Sequence, residues 1–265
     1  GAPHVVTLDL PRTGDTPVEE RFLIAARLEP WRPLAVFASP EETGLEQRTT
    51  LTRQSTIGTL RASLVAGFEG RRDFGRAIEV ELLHGALESV SDAQLLHGAN
   101  LAAVRAANGE WEVLQFQNAL ESEPSVWRLT GLLRGEAGTA AAMRAGAEAG
   151  ASFVLLDGTV VPAGLRTGET GIALSWSVGP TGFLLAGSNH ARFEAVGGVR
   201  ARRPLPPVHM VARPQDDGSL VIEWQRRSQR ASGRKINGTA PVEDMAEAYR
   251  LNICAPDGAV VRTIE

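Results

Sequence analysis

The chain has 265 residues, of which 43% are hydrophobic and 22% charged, with a formal net charge of −4. This length buries a sizeable core, while the mild acidity excludes the broad basic surface that direct, nonspecific nucleic-acid binding requires. No apolar run reaches the ~20 residues of a membrane helix, and the lone Cys254 excludes both an internal disulfide and a cysteine-based zinc site. The 28 glycines and 15 prolines point to frequent turns and a mainly β architecture. The start, Gly1-Ala2-Pro3, has neither the basic segment nor the apolar run of a secretion signal, and reads as the beginning of a fragment or a processed chain.

In chain order, strands are predicted over residues 21–28, 34–38, 56–65 and 77–83. In the last, Ile78, Val80 and Leu82 alternate with Glu79 and Glu81. These glutamates therefore read as a solvent face rather than as paired acids for glycoside chemistry, alone or with Asp73. Ser91-Asp92-Ala93-Gln94 has capping-box spacing and Gly98 offers a stop, which gives one or two helical turns. Asn108-Gly109 joins a strand over 101–107 to one over 111–120. Asn-Gly supplies the positive φ angles of a two-residue hairpin, and Asp157-Gly158, Asp217-Gly218 and Asp257-Gly258 repeat the signal.

In 111–120, Val113 and Leu114 are adjacent and Gln115 and Gln117 interrupt the apolar side, the pattern of a central or bulged strand. After the break at Pro124, Trp127, Leu129, Gly131 and Leu133 share one face of a strand over 126–134, with Arg128, Thr130 and Arg134 on the other. Thr139 is placed to cap a helix over 140–149, with Gly150 as its end and Gly146 weakening it from within. Further strands are predicted over 153–156, 171–177 and 192–196.

Residues 200–207, Arg-Ala-Arg-Arg-Pro-Leu-Pro-Pro, have the composition of a linker. Beyond it Val208 and Met210 begin one strand, Leu220, Ile222 and Trp224 share a face of a second, Tyr249, Leu251 and Ile253 share a face of a third, and 260–264 forms a fourth. A proline-led strand, a strand ending in a buried Trp and a Tyr-x-Leu-x-Ile strand together resemble the first half of a fibronectin type III sandwich. Such a sandwich needs about seven strands, so the natural chain is expected to continue beyond Glu265. The expected division is a β domain with short helices over 1–150, a smaller β region over 151–203 that completes or extends it, and a partial fibronectin-like domain over 204–265.

Reactive chemistry is sparse. His4, His84, His97, His190 and His209 have no metal-ligand spacing, and Ser188 near His190 reads as a polar loop residue. No nucleophile elbow, phosphate loop or dinucleotide fingerprint occurs. No catalytic, cofactor-binding or metal-binding residue is assigned. Trp31, Trp111, Trp127, Trp176 and Trp224 read first as core or subunit anchors and second as a sugar-stacking platform. Arg226-Arg227 either meets an anionic partner or ends a strand in solvent.

The stretches "WEVLQF" at 111–116 and "LLRGEAGT" at 132–139 resemble the paired signature of baseplate-hub and tail-tip proteins of siphophage-like tails, in particular the gene transfer agent version labelled glycoside hydrolase/phage tail protein. "LDLPRT", "LEPW", "LLHGAN", "FVLLDG", "RPLPPVH", "WQRRS" and "AEAYRLNI" occur in the same order. Glu136-Ala137 and Gln229 depart from the family's usual residues. The resemblance marks Trp111, Gln115, Phe116, Leu133, Arg134, Gly135, Gly138, Thr139, Trp224, Arg226, Arg227 and Tyr249 as signature positions.

It implies a homotrimeric structural hub at the distal end of a tail, joining the tube to tip or fibre proteins and, through them, to the host envelope during DNA delivery, with Gln115 and Gln117 offered for hydrogen bonds across the subunit interface. No enzyme activity is carried over, because the hydrolase label belongs to a TIM-barrel-like domain for which this chain has no pattern. The alternative is a glycan-binding adhesion module of the tail, using Trp31 or Trp176.

Overall fold

The computed structural model describes residues 1–13, 16–183, 185, 187–225 and 249–264. Along the chain come β1 (His4–Asp9), a 3-10 turn (Val18–Arg21), β2 (Phe22–Arg27), β3 (Leu34–Ser39), β4 (Glu46–Leu51), β5 (Ile57–Leu60) and β6 (Ile78–Leu82). Then follow α1 (Asp92–Leu96), β7 (Leu101–Arg105), β8 (Trp111–Glu123), β9 (Val126–Glu136), α2 (Ala140–Ala145) and β10 (Ser152–Leu155). The remainder is β11 (Val161–Pro162), β12 (Ala173–Pro180), β13 (Ala191–Val196), α3 (Val199–Arg202), β14 (Val208–Pro214), β15 (Leu220–Gln225), β16 (Leu251–Cys254) and β17 (Val260–Ile264). The fold is mainly β, as the composition predicts.

Six strands close into a barrel in the order β10-β5-β6-β9-β8-β7. A three-stranded sheet, β1-β2-β11, and a four-stranded sheet, β13-β12-β3-β4, lie outside it. The barrel takes its closing strand from beyond residue 150, and the four-stranded sheet joins β3 and β4 to β12 and β13, so both straddle the 150/151 division expected from the sequence.

Burial explains the layering. Val80, Val104, Leu114, Phe116, Leu129 and Phe153 fill the barrel interior. The alternate residues Ala103, Trp111, Val113 and Val154 face out of the barrel and pack with Leu8, Leu10 and Ala25. Ile24 and Ala26 on β2 turn the other way, onto Val36, Trp176 and Val178 of the four-stranded sheet. The three-stranded sheet is therefore the middle layer. This accounts for the apolar run Leu23-Ile24-Ala25-Ala26, because a strand buried on both faces shows no alternation.

Three of the Asx-Gly turns are built alike, but not as two-residue hairpins. At Asn108-Gly109 the Gly109 N–H donates to Ala106 O (2.9 Å), and Ala106 N donates to Glu110 O (2.8 Å). Gly109 alone has positive φ, and the Asn108 side chain accepts from Glu110 N (3.0 Å). Residues 215–219 and 255–259 repeat this arrangement. Each is a type I turn followed by a left-handed glycine bulge, in which the Asn or Asp stabilises the turn through its side chain and stays at negative φ. Asp157-Gly158 differs again. It leads from β10 in the barrel to β11 in another sheet, and Gly158 does not have positive φ.

The strand predicted over 126–134 exists, but its faces exchange midway. Trp127 and Leu129 point into the barrel, and beyond Gly131 it is Leu132 that points inward. On β8 the inward set shifts at the same level, from Leu114 and Phe116 to Ala119. Leu133 is therefore outward and half-buried, and Arg134 is inside, the reverse of the sequence reading. The cause is Gly131, whose φ of +66° no ordinary alternating strand residue adopts, and where a Cβ would lie 2.9 Å from Gln117 Cβ.

Other departures have local causes. The strand expected over 56–65 stops at Leu60, after which Leu64 bridges to Ala147. The helix over 140–149 ends early, at Gly146, and Thr139 does not cap it with its side chain. The linker-like residues begin with the helical turn α3, tied down by Asp9, whose carboxylate accepts from Gly198 N (3.0 Å) and Arg200 N (2.9 Å). Among the described residues, β14 pairs with β15 and β16 with β17, as two two-stranded sheets. Trp224 is half-buried rather than buried, with Tyr249 edge-on to it at 5.1 Å between ring centroids.

Gly131→Ala is expected to cost about 1–3 kcal/mol, the usual range for forcing a side chain into this backbone region. It should show as a lowered urea midpoint at unchanged slope. An unchanged midpoint would remove Gly131 as the origin of the exchange.

Candidate functional site

The signature residues of β8 and β9 converge on one buried ion pair. Glu112 lies opposite Val104, in the inward row that continues through Leu114 and Phe116. Arg134 follows Leu132 inward after the exchange at Gly131. The Arg134 guanidinium grips the Glu112 carboxylate with two nitrogens: Nε donates to Oε1 and Nη2 to Oε2 (2.8 Å). Their side chains are 0% and 2% exposed. A bidentate pair of this kind satisfies the carboxylate geometrically, which a buried charge requires.

The neighbours complete the node. Between the pairs Gln115↔Leu133 and Val113↔Glu136 the register shifts by one residue. At that bulge Gly135 turns its N–H to Glu112 Oε1 (3.2 Å). Thr139 Oγ1 accepts from Val113 N (3.0 Å) and donates to Glu136 O (2.7 Å), so the hydroxyl ties the turn after β9 back to β8. Gly138 presents its carbonyl to Arg200 (3.1 Å). Gln115 is buried, and its Nε2 donates to Leu95 O (2.8 Å) and Ala99 O (2.7 Å), closing the turn after α1. The sequence reading offered Gln115 and Gln117 for contacts between subunits. Gln115 is instead used within the chain, and Gln117 meets Arg72 and Asp92 at the rim.

Arg134 also carries a loop. Its Nη1 and Nη2 donate to Val65 O at 3.3 and 3.4 Å. A Cβ on Gly67 would lie 3.1 Å from Arg134 Cγ, so the loop backbone rests directly on the side chain. Further along, Asp73 bridges Leu132 through reciprocal backbone bonds of 2.8 and 2.9 Å. The buried Asp73 carboxylate accepts from Gly75 N, Arg76 N and Arg76 Nη1 (2.9 Å). Burial pushes its pKa up, but the Arg76 and backbone N–H bonds and the Arg76 charge outweigh this and hold it below the usual aspartate value.

Glu112, Gly131 and Asp73 were not singled out as members of this node from sequence. The available signal was a carboxylate in the same alternating row as Leu114 and Phe116. Arg226 and Arg227 lie outside the described residues. Trp111 and Trp127 are buried in the outer and inner cores of the barrel. Trp176, proposed for sugar stacking, is 2% exposed and packs on Phe22 with ring centroids 5.5 Å apart, so its face is not presented to solvent. Trp31 is half-buried beside the same core.

His190 Nδ1 meets Asn189 Oδ1 (3.0 Å), not Ser188, and burial followed by the charge of Arg192 pushes its pKa down. Glu79 and Glu81 are solvent-facing, near Arg128 and Arg61 respectively. Among the described residues, no three His, Cys, Asp or Glu side chains are grouped to hold a metal ion, and no helix is long and apolar enough to cross a membrane.

A protein-family model described as "Rcc01698-like, C-terminal" matches residues 55–154. The matched stretch takes in the strands of the closed barrel, to within the last residue of β10, and the whole Glu112–Arg134 node. No curated protein matches the chain significantly.

Two outcomes are expected. Arg134→Met should cost about 3–5 kcal/mol because it strands a buried carboxylate, and adding Glu112→Leu should restore part of that loss. Equilibrium urea unfolding of both singles and the double variant measures the coupling, and additive losses would refute it. The Asp73 pKa is lower folded than unfolded, so its stabilisation is complete above the unfolded value of 3.8 and is lost as pH falls through the folded value. Asp73→Asn should therefore flatten the acid limb of the stability profile.

Proposed function

We propose that the chain is a structural component of the hub at the distal end of a phage-like or gene transfer agent tail, where it links the tube to tip or fibre proteins. The observation that carries this reading is a coincidence of limits. The match to the Rcc01698-like C-terminal family and the closed barrel span nearly the same residues, and the paired signature "WEVLQF" and "LLRGEAGT" lies inside both. What the signature residues do there supports a mechanical role. Arg134, Glu112, Gly135, Thr139 and Gln115 spend their polar groups on one another and on backbone, which fixes strands and loops in place.

In this reading the chain withstands force through its geometry. A closed barrel has no free sheet edge, so force across it is shared by interstrand hydrogen bonds around the ring. The middle sheet couples the barrel to the four-stranded sheet through apolar contacts on both of its faces. The chain would act as one subunit of a symmetric ring, a homotrimer by the resemblance, beside other baseplate proteins and near the host envelope during DNA delivery.

Electron microscopy of particles carrying an epitope-tagged copy tests the reading. Label at the far end of the tail, repeated about its axis, is the expected result, together with tail assembly arrested when the chain is deleted. Normal tails in the deletion strain, or particles without label, would overturn it.

A further inference from the structure

The loop held by Arg134 ends in an exposed cationic and aromatic cluster. Phe68 is 41% and Phe74 67% exposed. The guanidinium carbons of Arg71 and Arg76 lie 3.7 and 4.8 Å from the centre of the Phe68 ring, and that of Arg72 lies 5.6 Å from the Phe74 ring. Arg76 is neutralised by Asp73 and Arg72 by Asp92. Arg71 makes no ion pair among the described residues, so this acidic chain presents a spare cation mounted on an aromatic ring.

A complementary feature sits on a different surface. A groove of about 580 Å³ opens beside β12 and β13, lined by Phe193, Leu45, Glu42, Glu194 and Arg192, with the buried Trp176 behind them. Arg192 donates to the Leu185 carbonyl. Glu42 and Glu194 make no ion pair among the described residues, and these two carboxylates outnumber the single Arg192 guanidinium, which leaves the rim net negative. The groove is roomy enough for a phenylalanine ring with its flanking guanidinium groups.

We propose that the Phe68–Arg71 loop of one copy seats in the Glu42–Glu194 groove of a second copy of this chain, joining subunits head to tail. This deepens the reading of the chain as an assembly component and rests on it. The occupant is a second copy because the chain itself carries both halves, a guanidinium outside any ion pair on the loop and two such carboxylates at the groove. Arginine and phenylalanine, without lysine, are also the side chains that favour protein contacts. Loop and groove are different surfaces, so the contact is heterologous and propagates into a closed ring or a filament rather than a two-fold dimer. The Arg134 node supplies a rigid base, which reduces the ordering that docking would otherwise require.

Light scattering across a concentration series at low and high salt tests this on the whole chain. The mass should rise above the 28.2 kDa of a single chain with concentration and fall back as salt increases. Arg71→Glu and Glu194→Arg should each weaken association about tenfold or more, and together in one chain they should recover it, as a reversed charge pair does. Phe68→Ala should weaken it without altering the salt dependence, and circular dichroism checks that each variant is folded.

A mass fixed at the single-chain value overturns the proposal, as does association indifferent to all the charge variants. Arg71-dependent binding of another tail protein by a chain that stays monomeric also overturns it, and gives the loop a different partner. Finding the chain in purified tails under any of these outcomes would leave the proposed function standing.

Discussion

A guanidinium with no access to water is stable only if something neutralises it, and in this barrel everything around Arg134 serves that need. Glu112 takes two of its nitrogens, and the remaining capacity goes to the Val65 carbonyl. The carboxylate in turn collects the Gly135 N–H. Removing a pair of this kind from water costs several kcal/mol per ion, so it adds little net stability compared with apolar packing. What it supplies is selectivity among arrangements. Any register of β8 against β9 other than the observed one would leave a charge buried alone.

That selectivity matters because the local sequence permits alternatives. Residues 111–116 are buried on both faces, so apolar periodicity alone does not fix which side of β8 faces the barrel. Val113 and Leu114 would each accept an interior position. Glu112 would not, except opposite Arg134. The pair thus orients the strand, and the orientation places Trp111 and Val113 outward, where they meet Leu8, Leu10 and Ala25 of the middle sheet. Through β2 the same choice reaches the four-stranded sheet, whose core begins at Ile24 and Ala26. Three hydrophobic clusters are therefore registered from one polar contact.

The sequence carried the strands whose alternation was clean or whose apolar run was continuous, such as β6 and β2. It also carried the positions of three hairpins, at Asn108-Gly109, Asp217-Gly218 and Asp257-Gly258, whichever turn type results, whereas Asp157-Gly158 leads from one sheet to another. β1 went unassigned despite Val5 and Val6, and β4, with a single apolar residue in Glu-Gln-Arg-Thr-Thr-Leu, offered nothing that periodicity detects. The face of Arg134 differs from the expected one for a definite reason. Strict alternation was carried through Gly131, and a glycine inside a strand is where alternation is most easily broken. Gln115 was assigned to an interface because its partners, the carbonyls of Leu95 and Ala99, belong to a helix terminus that no strand pattern reveals.

The same reasoning separates signature residues from surface residues. Those shared with the tail-hub resemblance within the barrel are buried, apart from the half-buried Leu133, so they preserve a shape. In the proposed hub, contacts with other subunits then fall to what the shape presents. On the barrel that is the loop through Phe68 and Phe74, whose backbone rests on Arg134 at Gly67 and on Leu132 at Asp73. An aromatic side chain on a loose loop loses conformational entropy when it docks, whereas one whose backbone is already fixed at both ends gives up only its own rotamer freedom. A buried ion pair that contributes little to folding can in this way contribute to association, by fixing beforehand the loop that association uses.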